Sequence, residues 1–191
     1  MPRPSAREQI IQAGLKCLME KGFNGVGVQD ITATAGVPKG SFYNHFESKE
    51  ALGAEIVERY GADTRRRELL SDKSIPPLER LRRHYERLAA ILADAKFERG
   101  CILGNFSAEL SNQSDVIRES LRRLYDRWTK DVEATIAEAQ EQGAVSKTLT
   151  PAELAAFLLD AYEGALLRAR VERDMRPLDR FMKFAFTKLL V

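Results

Sequence analysis

Seven prolines punctuate this chain, at Pro2, Pro4, Pro38, Pro76, Pro77, Pro151 and Pro177, and each stands where a helix can begin. A proline inside a helix removes a backbone hydrogen bond and clashes with the preceding turn, whereas at the first helical position it costs nothing. Between the prolines, apolar residues recur at i, i+3 and i+4, and no two-residue alternation flanked by turn signals is sustained. The pattern predicts an all-α chain of about nine helices and no sheet.

Ser5 is placed to cap a first helix that turns Ile10, Ile11, Gly14, Cys17 and Leu18 inward and stops at Lys21-Gly22. Short helices are expected over residues 28–35 and 39–45, with the tight turn Gly36-Val37-Pro38 between them, and Ser48 opens a long helix running to about Leu70. Longer amphipathic helices follow at about residues 77–95, 102–110, 114–142, 151–174 and 177–190. A small N-terminal helical domain, residues 1–48, thus leads into a larger helical body, residues 49–191.

The chain has 191 residues, 44% of them hydrophobic and 30% charged, close to the globular average. No apolar run approaches the roughly 18 residues of a membrane span, and the N-terminus has no apolar stretch of the secretory type, so a cytoplasmic protein is expected. Cys17 and Cys101 lie far apart without a Cys or His at metal-ligand spacing; reduced thiols are expected, and neither a metal nor a cofactor is implied. A net charge of +2 is too balanced to draw nucleic acid to the whole surface, so any DNA affinity must be local.

Such a locality exists. Two short helices joined by Ala35-Gly36-Val37-Pro38 have the size of a helix-turn-helix, with Gly36 taking the backbone angles of the sharp turn. Phe42 and Phe46, four apart, anchor the second helix on one face and leave Lys39, Ser41, Tyr43, Asn44 and His45 on or near the other. Lys39 suits a guanine edge and Asn44 an adenine edge, while Tyr43, His45 and Lys49 suit phosphates. Gly40 lets backbone approach DNA, and Gln29 offers a free N–H at the start of the preceding helix.

The stretch Gly25-Val26-Gly27-Val28-Gln29-Asp30-Ile31, followed by the run from Ala35 through Gly40-Ser41-Phe42-Tyr43-Asn44-His45-Phe46 to Leu52, resembles the DNA-binding domain of the TetR family of repressors. Where that family often carries Thr near the start of its second helix, this chain has Gly27-Val28-Gln29. The resemblance implies a homodimer in which three N-terminal helices bind double-stranded DNA at a palindromic operator. A fourth helix would link them to a ligand-binding body, the last two helices would pair with the other subunit, and an effector would release DNA.

In the body, the last two helices carry wide apolar stripes: Leu154, Phe157, Leu158, Ala161, Ala165 and Leu166, then Leu178, Phe181, Met182, Ala185, Phe186 and Leu189. One part of each must face its own domain, and the remainder can form a two-fold four-helix interface. The basic cluster Arg65-Arg66-Arg67, with Arg80, Arg82, Arg83 and Arg87, is interleaved with Glu68, Glu79 and Glu86 at salt-bridge spacing and reads as a solvated helix face.

The run Gly100-Cys101-Ile102-Leu103-Gly104-Asn105-Phe106-Ser107-Ala108-Glu109 puts a thiol at a helix N-terminus beside Arg99, where a thiolate is favoured. This run is similar to a branch of the same family that includes regulators of electrophile and short unsaturated-acid metabolism, the N-ethylmaleimide-responsive repressor among them. There the thiol can serve as sensor with a basic residue of the penultimate helix nearby, a place that Arg170 takes here. Because arginine keeps its proton, a switch that needs a neutral amine does not carry over. The other reading of Cys101 is an inert apolar filler, as Cys17 is on the first helix. For a reversible effector, Tyr85, Phe106, Tyr125, Trp128 and Tyr162 offer aromatic walls, and Asn105, Glu109, Glu163 and Arg168 offer polar groups.

A ligand- or electrophile-responsive DNA-binding repressor, not an enzyme, is the function these features favour. A thiol-dependent enzyme would have only His45 and His84 as imidazole bases, with no orienting carboxylate at a telling spacing. A helical adaptor without DNA binding would have no use for Lys39, Tyr43 and Lys49.

Overall fold

The computed structural model describes residues 5–63 and 67–191. Pro2, Pro4, Arg65 and Arg66 lie outside the described residues. Among the described residues there are ten α-helices and no strand: α1 (Ala6–Lys21), α2 (Val28–Ala35), α3 (Lys39–Tyr43), α4 (Lys49–Ala62), α5 (Glu68–Ser71), α6 (Pro77–Asp94), α7 (Ile102–Leu110), α8 (Asp115–Glu141), α9 (Pro151–Glu172) and α10 (Arg176–Phe184). A π-helical turn at Ala185–Leu189 prolongs α10. No helix among them is long and apolar enough to cross a membrane.

Local chemistry sets these boundaries. Ser5 accepts the Glu8 N–H at the start of α1, and Gly22, at φ 74°, closes its end by donating to Leu18. Pro77 and Pro151 open α6 and α9. At α9 the Thr150 hydroxyl accepts from Glu153 N while the Glu153 carboxylate accepts from Thr150 N, a reciprocal cap.

Two segments depart from expectation. The helix expected from Ser48 to Leu70 ends at Ala62, and a separate single turn, α5, follows. Gly61 lowers helix propensity there, and Arg67 leaves the helical register to pair with Asp131 of α8, a contact that periodicity does not contain. The second short helix closes at Tyr43 instead of His45, although His45 and Phe46 still donate to the Phe42 carbonyl at 3.0 and 2.9 Å.

The chain forms two compact units. The first runs through Ala62 and takes in Cys101–Leu124. Its core holds Ile10, Leu18, Ile31, Phe42, Leu52 and Ile56 from the N-terminal helices together with Ile102, Phe106 and Ile117. The second comprises Asp63–Gly100 and Tyr125–Val191. It is built on Leu81, Tyr85, Leu158, Tyr162, Leu178 and Phe181, and the rings of Tyr85, Tyr162 and Phe181 lie 5.1–5.6 Å apart in pairs.

The basic cluster is only partly a solvated face. Arg80 is 1% exposed. It donates to the Leu70 carbonyl at 2.7 Å and pairs with Glu138, which also pairs with Lys73. Both carbonyl and carboxylate are needed, since an arginine this deep is tolerated only with partners.

Candidate nucleic-acid interface and sensor

The turn between α2 and α3 is fixed by Gly36. At φ 68° it takes the left-handed conformation that a Cβ would strain; its N–H donates to Ala33 and that of Val37 to Thr32. The chain then re-enters helix at Lys39, with Ser41 N–H donating to Pro38 at 2.9 Å.

Anchoring and exposure divide α3 as the spacing predicts. Phe42 and Phe46 are buried with ring centroids 5.7 Å apart, and the Arg7 guanidinium lies 5.2 Å from the Phe46 centroid. Tyr43 meets Phe42 edge-on at 5.3 Å, yet stays 57% exposed. Lys39 and Tyr43, one turn apart, are both exposed, as are Gly40, Asn44 and His45, with Ser41 half-buried. Beyond its own helix backbone and chain neighbours, nothing among the described residues lies within 4 Å of where a Cβ would sit on Gly40, so backbone is open to a close approach. Gln29 is exposed in the first turn of α2, where the Asp30 carboxylate takes the Gly27 N–H at 2.8 Å.

Lys49, expected at a phosphate, has partners within the protein. Its ammonium donates to the carbonyls of Phe23 at 2.9 Å and Val26 at 2.8 Å and lies 4.2 Å from the Phe23 ring centroid. These contacts make Lys49 an intramolecular clamp on the α1–α2 loop. Nothing in the sequence flags this, because the partners are 23 and 26 residues away.

Of the residues expected at the sensor, Cys101, Asn105, Phe106 and Glu109 fall in the first unit, and Tyr85, Tyr125, Trp128, Tyr162, Glu163, Arg168 and Arg170 in the second. In the first, Cys101 is the N-cap of α7, 6% exposed, with its Sγ 3.6 Å from the Tyr60 hydroxyl of α4. Asn105 is half-buried. Phe106 is fully buried and meets Phe23 edge-on at 5.7 Å. The Glu109 carboxylate, expected to orient an effector, instead accepts the Asn24 N–H at 2.9 Å. Tyr60 was not foreseen; it is 41 residues from Cys101.

In the second unit, Trp128 and Tyr162 are buried, and Tyr125 and Arg170 are half-buried. Beside Tyr162, the buried Tyr85 hydroxyl has no hydrogen-bond partner among the described residues. Burial first, and the nearby Glu163 carboxylate second, push the Tyr85 phenol well above its ordinary value. No group of three or more His, Cys, Asp or Glu side chains suited to a metal occurs among the described residues.

The stripes on α9 and α10 split into two faces. Leu154, Leu158, Leu166, Leu178, Phe181, Ala185 and Phe186 of the stripes are buried within the unit and Phe157 is 58% exposed, while Leu167, Val171 and Phe184 (56%), outside the expected stripes, are exposed as well. A cavity of about 490 Å³ opens beside Phe157 and Phe184, and Leu158, Phe181, Arg168 and Arg180 also line it.

Comparison with known proteins places this geometry. Residues 10–56 match the model of bacterial regulatory proteins of the tetR family, and residues 77–185 match the tetracyclin repressor-like C-terminal domain. The HTH-type transcriptional repressor DhaR of Mycobacterium sp. (strain GP1) is 42% identical over 192 residues, covering 100% of this chain and 95% of that protein. The HTH-type transcriptional repressor NemR of Escherichia coli (strain K12) is 32% identical over 179 residues, covering 91% and 88%. The crystal structure of NemR in its reduced form superposes with a TM-score of 0.88 at 26% identity, covering 98% of each chain. The regulatory protein TetR from Rhodobacter sphaeroides also superposes with a TM-score of 0.88, at 36% identity over 97% of this chain and 99% of that one.

Proposed function

The chain belongs to the TetR family of DNA-binding transcriptional regulators, and from that premise we propose that it represses transcription as a homodimer on a palindromic operator and is released by an electrophile reacting at Cys101. The observation that carries the DNA reading is the exposure of Lys39, Tyr43, Asn44 and His45 on a helix pinned by the buried Phe42. Lys39 reads a guanine edge and Asn44 an adenine edge; Tyr43, His45 and Ser41 hold phosphates. Gly40 admits the DNA backbone, and the Gln29 N–H meets a phosphate at the start of α2. Lys49 takes no part in DNA contact; it holds the loop that presents α2. In this reading residues 1–48 are the DNA-binding domain and residues 49–191 the effector and dimerisation domain.

The partner subunit covers the outward face of α9 and α10. Phe157 and Phe184 are large apolar groups whose exposure a monomer does not explain, and a two-fold axis through that face repeats each contact. Two reading helices then meet one side of a duplex about one helical turn apart, roughly 34 Å.

Cys101 is supported as sensor by its place at the head of α7 and by its contact with Tyr60 on α4. Alkylation adds bulk to a site with little room, so the modified protein favours an arrangement in which α4 and α7 no longer pack as they do here. Arg170 keeps its charge throughout and supplies no neutral amine. A reversible effector is the second reading. It is favoured by the buried Tyr85 hydroxyl beside Tyr162, which has no hydrogen-bond partner among the described residues, and would draw on Tyr125 and Trp128 of the same unit for its walls.

Titration of a DNA fragment from upstream of the protein's own gene, across salt concentrations and with and without N-ethylmaleimide, tests these readings together. Salt-sensitive binding is expected, with release by the electrophile lost in Cys101→Ser. Unchanged release by Cys101→Ser removes the thiol, and absence of salt-sensitive binding removes the repressor.

A further inference from the structure

The helix that carries Cys101 also grips the loop that leads into the reading head. Glu109 lies on α7 eight residues beyond Cys101, or about 12 Å along the helix. One of its oxygens accepts the Asn24 N–H at 2.9 Å, and the other would lie 2.6 Å from a Cβ on Gly22. Gly22, at φ 74°, is needed for its backbone angle, and a side chain there would also push the Glu109 carboxylate aside. One turn back on α7, Phe106 meets Phe23 edge-on, and from α4 the Lys49 ammonium takes the carbonyls of Phe23 and Val26. The loop ends at Gly27, the N-cap of α2.

We propose that Glu109 is a positioning residue for operator recognition, fixing the α1–α2 loop to α7 so that a displacement of α7 begun at Cys101 reaches α2 and α3. The positioning role stands without the thiol reading; the relay to Cys101 rests on it. Asn24 is exposed, so water replaces the lost acceptor when Glu109 is removed, and the fold loses little. What is lost is the fixed pose of the loop, and with it the preorganisation of the reading helix. A merely solvated glutamate near DNA predicts the opposite sign, since removing a negative charge there strengthens binding.

The test uses the full chain with Cys17→Ala throughout, so that Cys101 is the only thiol. Binding to the upstream DNA fragment is measured for the parent, Glu109→Ala and Glu109→Gln, before and after N-ethylmaleimide, and amide hydrogen exchange is followed over residues 22–26. Glu109→Ala is expected to bind about tenfold more weakly at an unchanged salt slope, with faster exchange in the loop and a melting temperature within about 4 °C of the parent. Alkylation releases the parent within the 5- to 150-fold range usual for allosteric coupling, and the Glu109→Ala ratio shrinks toward one. Glu109→Gln, which keeps an acceptor oxygen, recovers most of the affinity. Unaltered or tighter binding by Glu109→Ala overturns the positioning role, and a full release ratio in that variant overturns the relay. If alkylation fails to release even the parent, the thiol reading fails, while the affinity and exchange of the unmodified Glu109→Ala protein still decide the positioning role.

Discussion

Replacing Lys49 with methionine separates an intramolecular clamp from a phosphate ligand. The change keeps most of the aliphatic stem against Phe23 and removes the ammonium, which donates to Phe23 at 2.9 Å and to Val26 at 2.8 Å. A hydrogen bond to a charged group contributes about 1.5–3 kcal/mol, so two give about 3–6 kcal/mol as an upper bound. Lys49 is only half-buried, and water takes over part of the lost bonding, which brings the expected loss to about 2 kcal/mol. For a chain of this size that is a fall of about 4–8 °C in melting temperature. Operator affinity drops as the loop loosens, but the slope of log K against log salt stays as it was. Were Lys49 a phosphate ligand, the dimer would lose two phosphate contacts and the slope would shrink by about 1.8. Calorimetry and a salt titration on the same preparation measure both; an unmoved melting temperature with the smaller slope would refute the clamp.

Three further outcomes follow from particular contacts. Arg80→Ala leaves Glu138 without its buried partner and the Leu70 carbonyl without its donor, and is expected to cost about 3 kcal/mol in chemical denaturation; a loss under about 1 kcal/mol would contradict the packing of α5 against α6 and α8. Phe157→Glu combined with Phe184→Asp should yield monomers in sedimentation while each chain keeps its helical circular dichroism, and a dimer surviving both changes would move the interface elsewhere. Acid should weaken the fold. Hydrogen bonds from Gln12 and then Arg59 hold Glu8 below the ordinary value of 4.5, Arg59 does the same for Glu55, and Lys73 and then Arg80 for Glu138. Because these carboxyls titrate lower when folded, their contribution is complete above about pH 5 and fades as pH falls through the lowered values. Melting temperatures from pH 7 to 3 should therefore stay level and then drop, the drop being shallower in Arg59→Met.

Much of this architecture is legible in residues that act locally. Proline and cap chemistry announce the starts of α1, α6 and α9 because Ser5, Pro77, Thr150 and Pro151 do their work within one turn of themselves. Gly36 and the Phe42–Phe46 pair mark the turn and the buried side of α3 for the same reason, and they leave the outward donors to be read by subtraction. What escapes is anything settled by a distant partner. The end of α4 depends on Gly61 and on Arg67 finding Asp131, 64 residues on. Glu109 looks like a pocket residue until Asn24, 85 residues away, takes its carboxylate. Lys49 and the Cys101–Tyr60 contact are of the same kind. Charge spacing along one helix likewise suggests that Arg80 is solvated, whereas its partners come from α5 and α8.

The account turns on the outward side of α3 meeting DNA, and a photo-crosslinking amino acid in place of Tyr43 reports on that contact directly. With the upstream fragment bound, irradiation should join this position to the duplex at two symmetry-related sites, and the yield should fall as salt is raised. Crosslinking confined to protein, or a yield on DNA no greater than from the same probe at the buried Leu88, would contradict it.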